Sequence, residues 1–177
     1  QSPLPVVADI HFDCRIALEC IAAGAAKLRI NPGNMGDWAG LRQIASAAKK
    51  AGIPIRLGVN AGSVRAKDQA DERPLARALV EEALGYAERF ESFGFHDLVL
   101  SLKAPDVFET IAVNRAVAAQ CDYPLHLGLT HAGLENEALL RSAVALGALL
   151  ADGIGDTIRL SFTGSPAAEV KAGRALL

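Results

Sequence analysis

Aromatic residues and cysteines are scarce in this sequence. Aromatic side chains make up 5% of the 177 residues, so a hydrophobic core has to be built from Leu, Ala, Val and Ile. The three cysteines, Cys14, Cys20 and Cys121, are an odd number and lack the spacing of metal ligands. Cys14 and Cys20 lie six residues apart on a predicted helix and therefore point in different directions. We expect reduced, packed thiols and no metal site in this chain.

Long apolar runs, leader patterns and an excess of one charge are also missing. No apolar run approaches the roughly 18 residues of a membrane-spanning helix, and no secretory or transit pattern is seen. The formal net charge of −2 excludes a broadly basic surface of the kind that binds nucleic acids or anionic membranes. Walker A, GxGxxG, nucleophile-elbow and CxxC motifs are absent as well. We therefore expect a cytoplasmic protein without nucleic-acid or membrane partners.

The sequence does contain a regular succession of strand-like and helix-like segments. Hydrophobic residues make up 51% of the chain, enough for the core of one domain. Six short apolar segments, each followed by a turn signal, have the composition of buried strands: PLPVVADIHF, AKLRINPGN, PIRLGVN, DLVLSLKA, PLHLGLTHAG and TIRLSFTG. Helices are predicted after them at 14–24, 37–51, 74–93, 105–120, 136–152 and 166–176. This order predicts a parallel α/β protein.

Alternation along the predicted strands separates an apolar face from a polar one. The apolar face contains Ile10, Phe12, Leu28, Ile30, Leu57, Val59, Leu98, Leu100, Leu102, Leu125, Leu127, Leu129, Ile158, Leu160 and Phe162. The polar face contains Asp9, His11, Arg29, Asn31, Arg56, Gly58, Asn60, Ser101, Lys103, His126, Thr130, Arg159, Ser161 and Thr163. A sheet covered by helices on both faces would be apolar throughout. A polar inner face fits the lumen of a (β/α)8 TIM barrel better, because the site of such a barrel lies at the carboxyl ends of its strands.

The number of predicted units is too small for a complete barrel. A complete barrel has eight βα units and about 250 residues, whereas this chain has six such units. Its start at Gln1, almost directly in a strand, favours a partial TIM barrel over residues 1–177 rather than an open, flavodoxin-like sheet. The first and last predicted strands would then be open apolar edges, which promote association. We expect the isolated chain to self-associate or to remain bound to a missing segment.

Four cations lie near the ends of four different strands, all on the polar face: Arg29, Arg56, Lys103 and Arg159. Gathering four cations in a partly dry cavity is unfavourable without negative charge, and Asp9 and Asp13 are too few to supply it. A phosphate ester or diphosphate would supply it, bound by guanidinium forks and by the compact charge of a lysine. Neutral donors would orient this ligand: Asn31, Asn60, Ser161 and Thr163. The alternative is a set of structural Arg–Asp pairs.

Several motifs in chain order make the sequence similar to a known family: V-A-D-I-H-F, L-R-I-N-P-G-N, R-L-G-V-N-A-G-S, K-A-x-D-V, P-L-H-L-G-L-T and G-I-G-D-T-I-R-L-S. Over essentially its whole length, the chain resembles the barrel domain of the 4-hydroxy-3-methylbut-2-enyl diphosphate synthases of isoprenoid biosynthesis, in the methylerythritol phosphate pathway. The resemblance implies an oxidoreductase that reductively opens 2-C-methyl-D-erythritol 2,4-cyclodiphosphate to 4-hydroxy-3-methylbut-2-enyl diphosphate. It also implies a 4Fe–4S cluster, electrons from ferredoxin or flavodoxin, and a homodimer in which the cluster domain of one subunit closes over the barrel of the other.

The resemblance also assigns roles to individual residues. The family's diphosphate-binding cations match Arg29, Arg56, Lys103 and Arg159. Its other substrate-pocket positions match Asp9, Asn31, Asn60 and Ser161. The family motif L-G-x-T-E-A-G carries a Glu that is a proposed proton donor, and this chain has His131 at that position, where a histidine can act as a general acid. The cluster-binding cysteines belong to a C-terminal domain that this chain lacks, so we expect the isolated chain to bind the diphosphate but to be inactive alone.

Two other functions stay open on the sequence alone. A non-redox barrel for phosphate ligands, such as a pterin-binding synthase or an aldolase-like enzyme, would need similar cations. A Schiff-base aldolase would require a desolvated Lys103, and the three nearby arginines favour phosphate binding by this lysine instead. A binding module without a catalytic role is the remaining alternative.

Overall fold

The computed structural model describes residues 2–62, 64, 74–130 and 134–177. These residues form six strands: β1 Val7–Asp9, β2 Lys27–Ile30, β3 Ile55–Asn60, β4 Leu98–Lys103, β5 His126–Leu127 and β6 Thr157–Ile158. A helix follows each of them: α1 Cys14–Ala22, α2 Trp38–Ala51, α3 Leu75–Ser92, α4 Val107–Ala118, α5 Glu135–Ala151 and α6 Pro166–Leu176. A short 3-10 turn, Pro32–Asn34, lies between β2 and α2. The strand–helix order is the one that the sequence predicts.

Side-chain caps explain where four of the helices begin. Oxygen atoms of three aspartates and a serine accept hydrogen bonds from N–H groups of the first helical turn: Asp13 for α1, Asp37 for α2, Asp106 for α4 and Ser165 for α6. These N–H groups have no carbonyl partner within the helix. The hydrogen-bonded Arg15 side chain holds the pKa of the Asp13 carboxyl below its ordinary value. Gly52 caps the carboxyl end of α2, and its φ of 66° lies in the left-handed region that favours glycine.

The chain divides into two compact units, and the first comprises the described residues of Gln1–Gly58 and Ala83–Leu100. The four-stranded sheet has the order β1–β2–β3–β4, and its β1–β2 and β2–β3 pairs are parallel. In this unit the predicted apolar face is buried, with Leu28, Ile30 and Leu57 inaccessible to solvent. Full burial of one such side chain contributes roughly 1.5–3 kcal/mol. The opposite face of this sheet is therefore the face on which polar side chains lie.

Phe12 does not join this core, so its assignment to the apolar face was wrong. Strand β1 ends at Asp9, and Ile10 is the last buried residue of the segment. Phe12 has a φ of 65°, which breaks the alternation of an extended strand, and its side chain is 71% exposed. The chain turns here toward α1.

The second unit comprises the described residues of Val59–Glu82 and Ser101–Leu177. Strands β5 and β6 form a parallel two-stranded sheet in which His126 lies opposite Thr157. Strand β5 is shorter than the predicted segment, and beyond its end the N–H of Thr130 donates to the carbonyl of Ala104, the residue after β4. The predicted apolar residues of these segments are nevertheless mostly buried: Leu125, Leu127, Leu129 and Leu160. No described helix is both long and apolar enough to cross a lipid bilayer.

Candidate functional site

The first unit places three predicted site residues in one row across neighbouring strands. Asp9 of β1 is the register partner of Arg29 in β2, and Arg29 is the partner of Arg56 in β3. Register partners on adjacent strands point to the same face of a sheet. Two guanidinium groups on strands about 4.8 Å apart repel each other unless negative charge lies close by. This row is suited to an anionic ligand.

The guanidinium of Arg29 is held by Asp9. Nη1 of Arg29 donates to Oδ1 of Asp9 over 2.8 Å, and the Arg29 side chain is only 14% exposed. The same carboxylate oxygen lies 3.5 Å from Nε2 of His11. The structural Arg–Asp pair that the sequence left as an alternative therefore exists. This hydrogen bond uses one of the five N–H donors of the Arg29 guanidinium. His11 was on the polar face by alternation and was not assigned to the site, yet its side chain lies beside this pair.

Asn31 follows β2 directly and is 2% exposed. Its Oδ1 accepts a hydrogen bond from the N–H of Gly33 over 3.0 Å and so caps the 3-10 turn. Its buried Nδ2 has no hydrogen-bond partner among the residues that the structure describes. A buried unpaired donor costs about 1–3 kcal/mol, and an oxygen atom of a ligand would remove that cost. The surroundings of Asn31 thus agree with a role as a neutral donor.

In the second unit, Lys103 and Arg159 both lie beside Gly128. Lys103 ends β4 and is half-buried, and Arg159 directly follows β6 and is exposed. A Cβ atom built on Gly128 would lie 3.6 Å from Cε of Lys103, 3.7 Å from Cβ of Arg159 and 3.0 Å from the Arg159 carbonyl oxygen. The structure therefore places the Lys103 side chain and the base of the Arg159 side chain on either side of a residue without a side chain.

Three predicted site residues remain: Asn60, Ser161 and His131. Asn60 ends β3 and Ser161 lies shortly after β6, and both are half-buried. His131, the predicted proton donor, lies outside the described residues, so its role stays a prediction.

Two buried hydroxyl groups of the polar face had not been assigned to the site. Ser101 is 2% exposed and lies two residues before Lys103, on the same face of β4. Its Oγ and the buried Oγ1 of Thr130 have no hydrogen-bond partner within the described part of the chain. Alternation had placed both residues on the polar face. A single hydroxyl on a strand carries no further sequence signal that would distinguish a binding residue from a structural one.

The described residues do not fit an iron–sulfur cluster, which needs several converging thiolates. Cys14 and Cys20 lie on different sides of α1. The thiol of Cys14 donates to the carbonyl of Met35 and that of Cys121 to the carbonyl of Val117, each over 3.5 Å. Within the described ranges, no group of three or more His, Cys, Asp or Glu side chains could hold a metal ion.

Comparison with known families identifies the family of this chain. Residues 1–174 match the family described as the GcpE TIM-barrel domain. The chain belongs to this family. The predicted fold class, a (β/α)8 TIM-type barrel with six βα units in this chain, is thereby confirmed.

Curated relatives of this GcpE chain carry one name. It is 48% identical over 178 residues to a protein of Geobacter sulfurreducens, 46% over 175 residues to one of Ruminiclostridium cellulolyticum and 48% over 185 residues to one of Nocardia farcinica. Each is named 4-hydroxy-3-methylbut-2-en-1-yl diphosphate synthase (flavodoxin). The alignments cover 100%, 98% and 100% of this chain but 50%, 50% and 46% of the relatives. The GcpE chain thus spans about half the length of these relatives, and the family predicted from the motifs is confirmed.

Solved structures of much lower identity share the fold alone. A 2,3-dimethylmalate lyase of the PEP mutase/isocitrate lyase superfamily has a TM-score of 0.61 at 13% identity, over 97% of the GcpE chain and 61% of its own. A type I 3-dehydroquinate dehydratase from Clostridium difficile has a TM-score of 0.54 at 12% identity, over 92% and 58%.

Proposed function

We propose that the full gene product containing this chain reductively opens 2-C-methyl-D-erythritol 2,4-cyclodiphosphate to 4-hydroxy-3-methylbut-2-enyl diphosphate, and that this chain binds the diphosphate. The row formed by Asp9, Arg29 and Arg56 carries the proposal, because it places these residues in register on three adjacent strands, with Arg29 hydrogen-bonded to Asp9. The shared name of the relatives supports the reaction and flavodoxin as the electron donor. It favours this synthase over a non-redox phosphate-binding barrel.

The residues of this chain act by binding and orienting the substrate. Arg29 and Arg56 offer planar forks that match phosphate oxygens, and Lys103 offers a compact charge. Arg159 adds a further guanidinium, and Asn31 contributes a buried N–H donor that has no other partner in the described chain. Asp9, Asn60 and Ser161 complete the proposed set. Positive charge fixed before the substrate arrives stabilises a diphosphate without further reorganisation.

Electrons reach the substrate through groups outside the described residues. A 4Fe–4S cluster supplies one-electron chemistry when it is bound, and in this proposal its ligands belong to another part of the full gene product. A homodimer, in which one subunit covers the barrel of the other, belongs to the same proposal. The contribution of this chain is then limited to the diphosphate and to a proton donor.

Calorimetric titration of the full gene product with the cyclodiphosphate tests the proposal. The Lys103→Ala substitution removes a charge-assisted contact worth about 1.5–3 kcal/mol, so affinity should fall roughly tenfold or more. Lys50→Ala is the matched control, because Lys50 is exposed in the last turn of α2 and outside the polar face. A folded wild-type protein that does not bind the cyclodiphosphate would contradict the proposal.

His131 is proposed as the proton donor of the reaction. A general acid must be protonated to act, so turnover should decline as pH rises through the range in which His131 loses its proton. In the His131→Gln variant this decline should disappear and turnover should drop by about 10²–10⁴-fold. His96→Gln is the matched control, because His96 is an exposed histidine outside the polar face. An unchanged pH profile in His131→Gln would remove His131 from the mechanism.

A further inference from the structure

Gly58 lies directly beneath the guanidinium of Arg29. It occupies the middle of β3, on the polar face between Arg56 and Asn60. A Cβ atom built on Gly58 would lie 2.8 Å from Nε, 3.0 Å from Nη2 and 3.3 Å from Cζ of Arg29. Ordinary carbon contacts are about 3.5–4.0 Å. The guanidinium of Arg29 therefore occupies space that a side chain at position 58 would fill.

The backbone of β3 does not itself require glycine at this position. The φ angle of Gly58 is not positive, so an L-amino acid can adopt its conformation. Glycine inside a strand is unfavourable, since it has no side chain to pack and loses more conformational freedom than other residues on folding. The close approach of Arg29 therefore accounts for a glycine at position 58, whereas the backbone conformation does not.

The opposite side of the guanidinium is fixed by Asp9. Nη1 donates to Oδ1 of Asp9 over 2.8 Å, while Nε, Cζ and Nη2 are the atoms that face Gly58. One contact restrains the guanidinium by a hydrogen bond and the other by van der Waals packing. Together they restrict the directions in which the N–H groups of Arg29 point.

We propose that Gly58 is a positioning residue for Arg29: its missing side chain forms the slot in which the guanidinium is oriented toward the diphosphate. The inference rests on the proposed function and deepens it, because it names a residue that acts on the ligand only through Arg29. Bidentate recognition of phosphate depends on the orientation of the guanidinium plane. A shift of that plane therefore weakens binding even when the positive charge stays in place.

The Gly58→Ala substitution separates positioning from stability. The new methyl group would meet the far end of a flexible side chain, not backbone, so Arg29 moves and the strand stays. Gly85→Ala is the matched control: Gly85 lies in α3, and nothing lies within 4 Å of a Cβ built there. Both variants should fold, with thermal midpoints at or near that of the wild type.

Titration of the full gene product with the cyclodiphosphate and with inorganic pyrophosphate measures the effect. We expect Gly58→Ala to bind both anions about tenfold more weakly and Gly85→Ala to bind them like the wild type. In an Arg29→Ala background, adding Gly58→Ala should cause no further loss, because the residue acts through Arg29. A merely structural glycine would weaken binding equally in both backgrounds.

A crystal structure of the Gly58→Ala protein provides a readout that needs no ligand. The inference predicts that the 2.8 Å contact between Arg29 and Asp9 is broken or lengthened while the strand is unchanged. If the wild type binds neither anion, the proposed function fails, and the position of Arg29 in this crystal structure alone decides the inference. An unmoved guanidinium, an additive loss in the double variant, or a Gly58→Ala protein that does not fold would each overturn it.

Discussion

Cys14 shows, at the scale of a single residue, how the surroundings determine reactivity. It begins α1, is half-buried, and donates from its thiol to the carbonyl of Met35. Burial raises the pKa of the Cys14 thiol, and the carboxylates of Asp37 and Asp13 raise it further. Since the thiolate is the nucleophile, we expect Cys14 to react slowly with iodoacetamide near neutral pH.

Alkylation rates followed by peptide mapping across a pH series test this expectation. The rate for Cys14 in the folded chain should reach its midpoint at a higher pH than the rate for the same cysteine in the chain unfolded by urea. The unfolded chain is the internal control, because it removes the burial and separates the thiol from Asp37. Equal midpoints in the two states would show that the surroundings of Cys14 do not suppress its ionisation.

Alternation was sufficient to place Asp9, Arg29 and Arg56 on one face, because the side chains of a strand alternate with a period of two. The ion pair between Asp9 and Arg29 and the contact of Arg29 with Gly58 could not be predicted in the same way. They depend on the register of neighbouring strands and on the rotamer of a long side chain, neither of which a single sequence specifies. The space required by a guanidinium is visible only in three dimensions.

At the scale of elements, Asp106 determines where α4 begins. Its Oδ1 accepts hydrogen bonds from the N–H groups of Phe108 and Glu109, over 2.8 Å and 3.1 Å. Replacing a capping aspartate by alanine usually costs about 1 kcal/mol. We therefore expect Asp106→Ala to lower the free energy of unfolding by about that amount in urea denaturation. Asp106→Asn keeps an acceptor oxygen and should stay close to the wild type, whereas equal losses in both variants would point to the charge and not to the cap.

Helix boundaries were easier to predict than strand lengths, for a physical reason. A cap such as Asp37 and a left-handed glycine such as Gly52 act on their own helix, so the local sequence carries the signal. The lengths of β5 and β6 depend on which neighbouring strand each backbone carbonyl and N–H group pairs with. This pairing involves residues that are far apart in the sequence. Leu129 keeps the apolar alternation and is buried although it lies beyond β5, because packing and not strand pairing decides its burial.

At the scale of the whole molecule, the chain spans about half the length of the relatives that it matches. The alignments with the relatives from Geobacter sulfurreducens and Ruminiclostridium cellulolyticum each cover 50% of those proteins. The described residues provide cations and amide donors but no set of metal-ligating side chains. The proposed function therefore assigns diphosphate binding to this chain and electron transfer to a redox group outside the described residues.

The outer strand of the sheet gives a prediction about association of the isolated chain. Among the described strands of the four-stranded sheet, β1 is an outer one, and Leu4, Val6 and Val7 beside it are 73%, 52% and 42% exposed. Apolar edge strands pair readily with other chains, and a lysine at the edge opposes such pairing. We therefore expect the 177-residue chain to self-associate at micromolar concentration, and Val7→Lys to shift it toward the monomer.

Sedimentation velocity over a concentration series distinguishes association through β1 from other causes. Phe108→Lys is the matched control, because Phe108 is 78% exposed on α4 and the change also replaces an apolar side chain by a cation. If β1 is the contact, Val7→Lys dissociates the chain and Phe108→Lys does not. Equal effects of the two variants would mean that net charge, and not the edge, controls association. A wild-type chain that sediments as a monomer at every concentration would show that β1 is already protected.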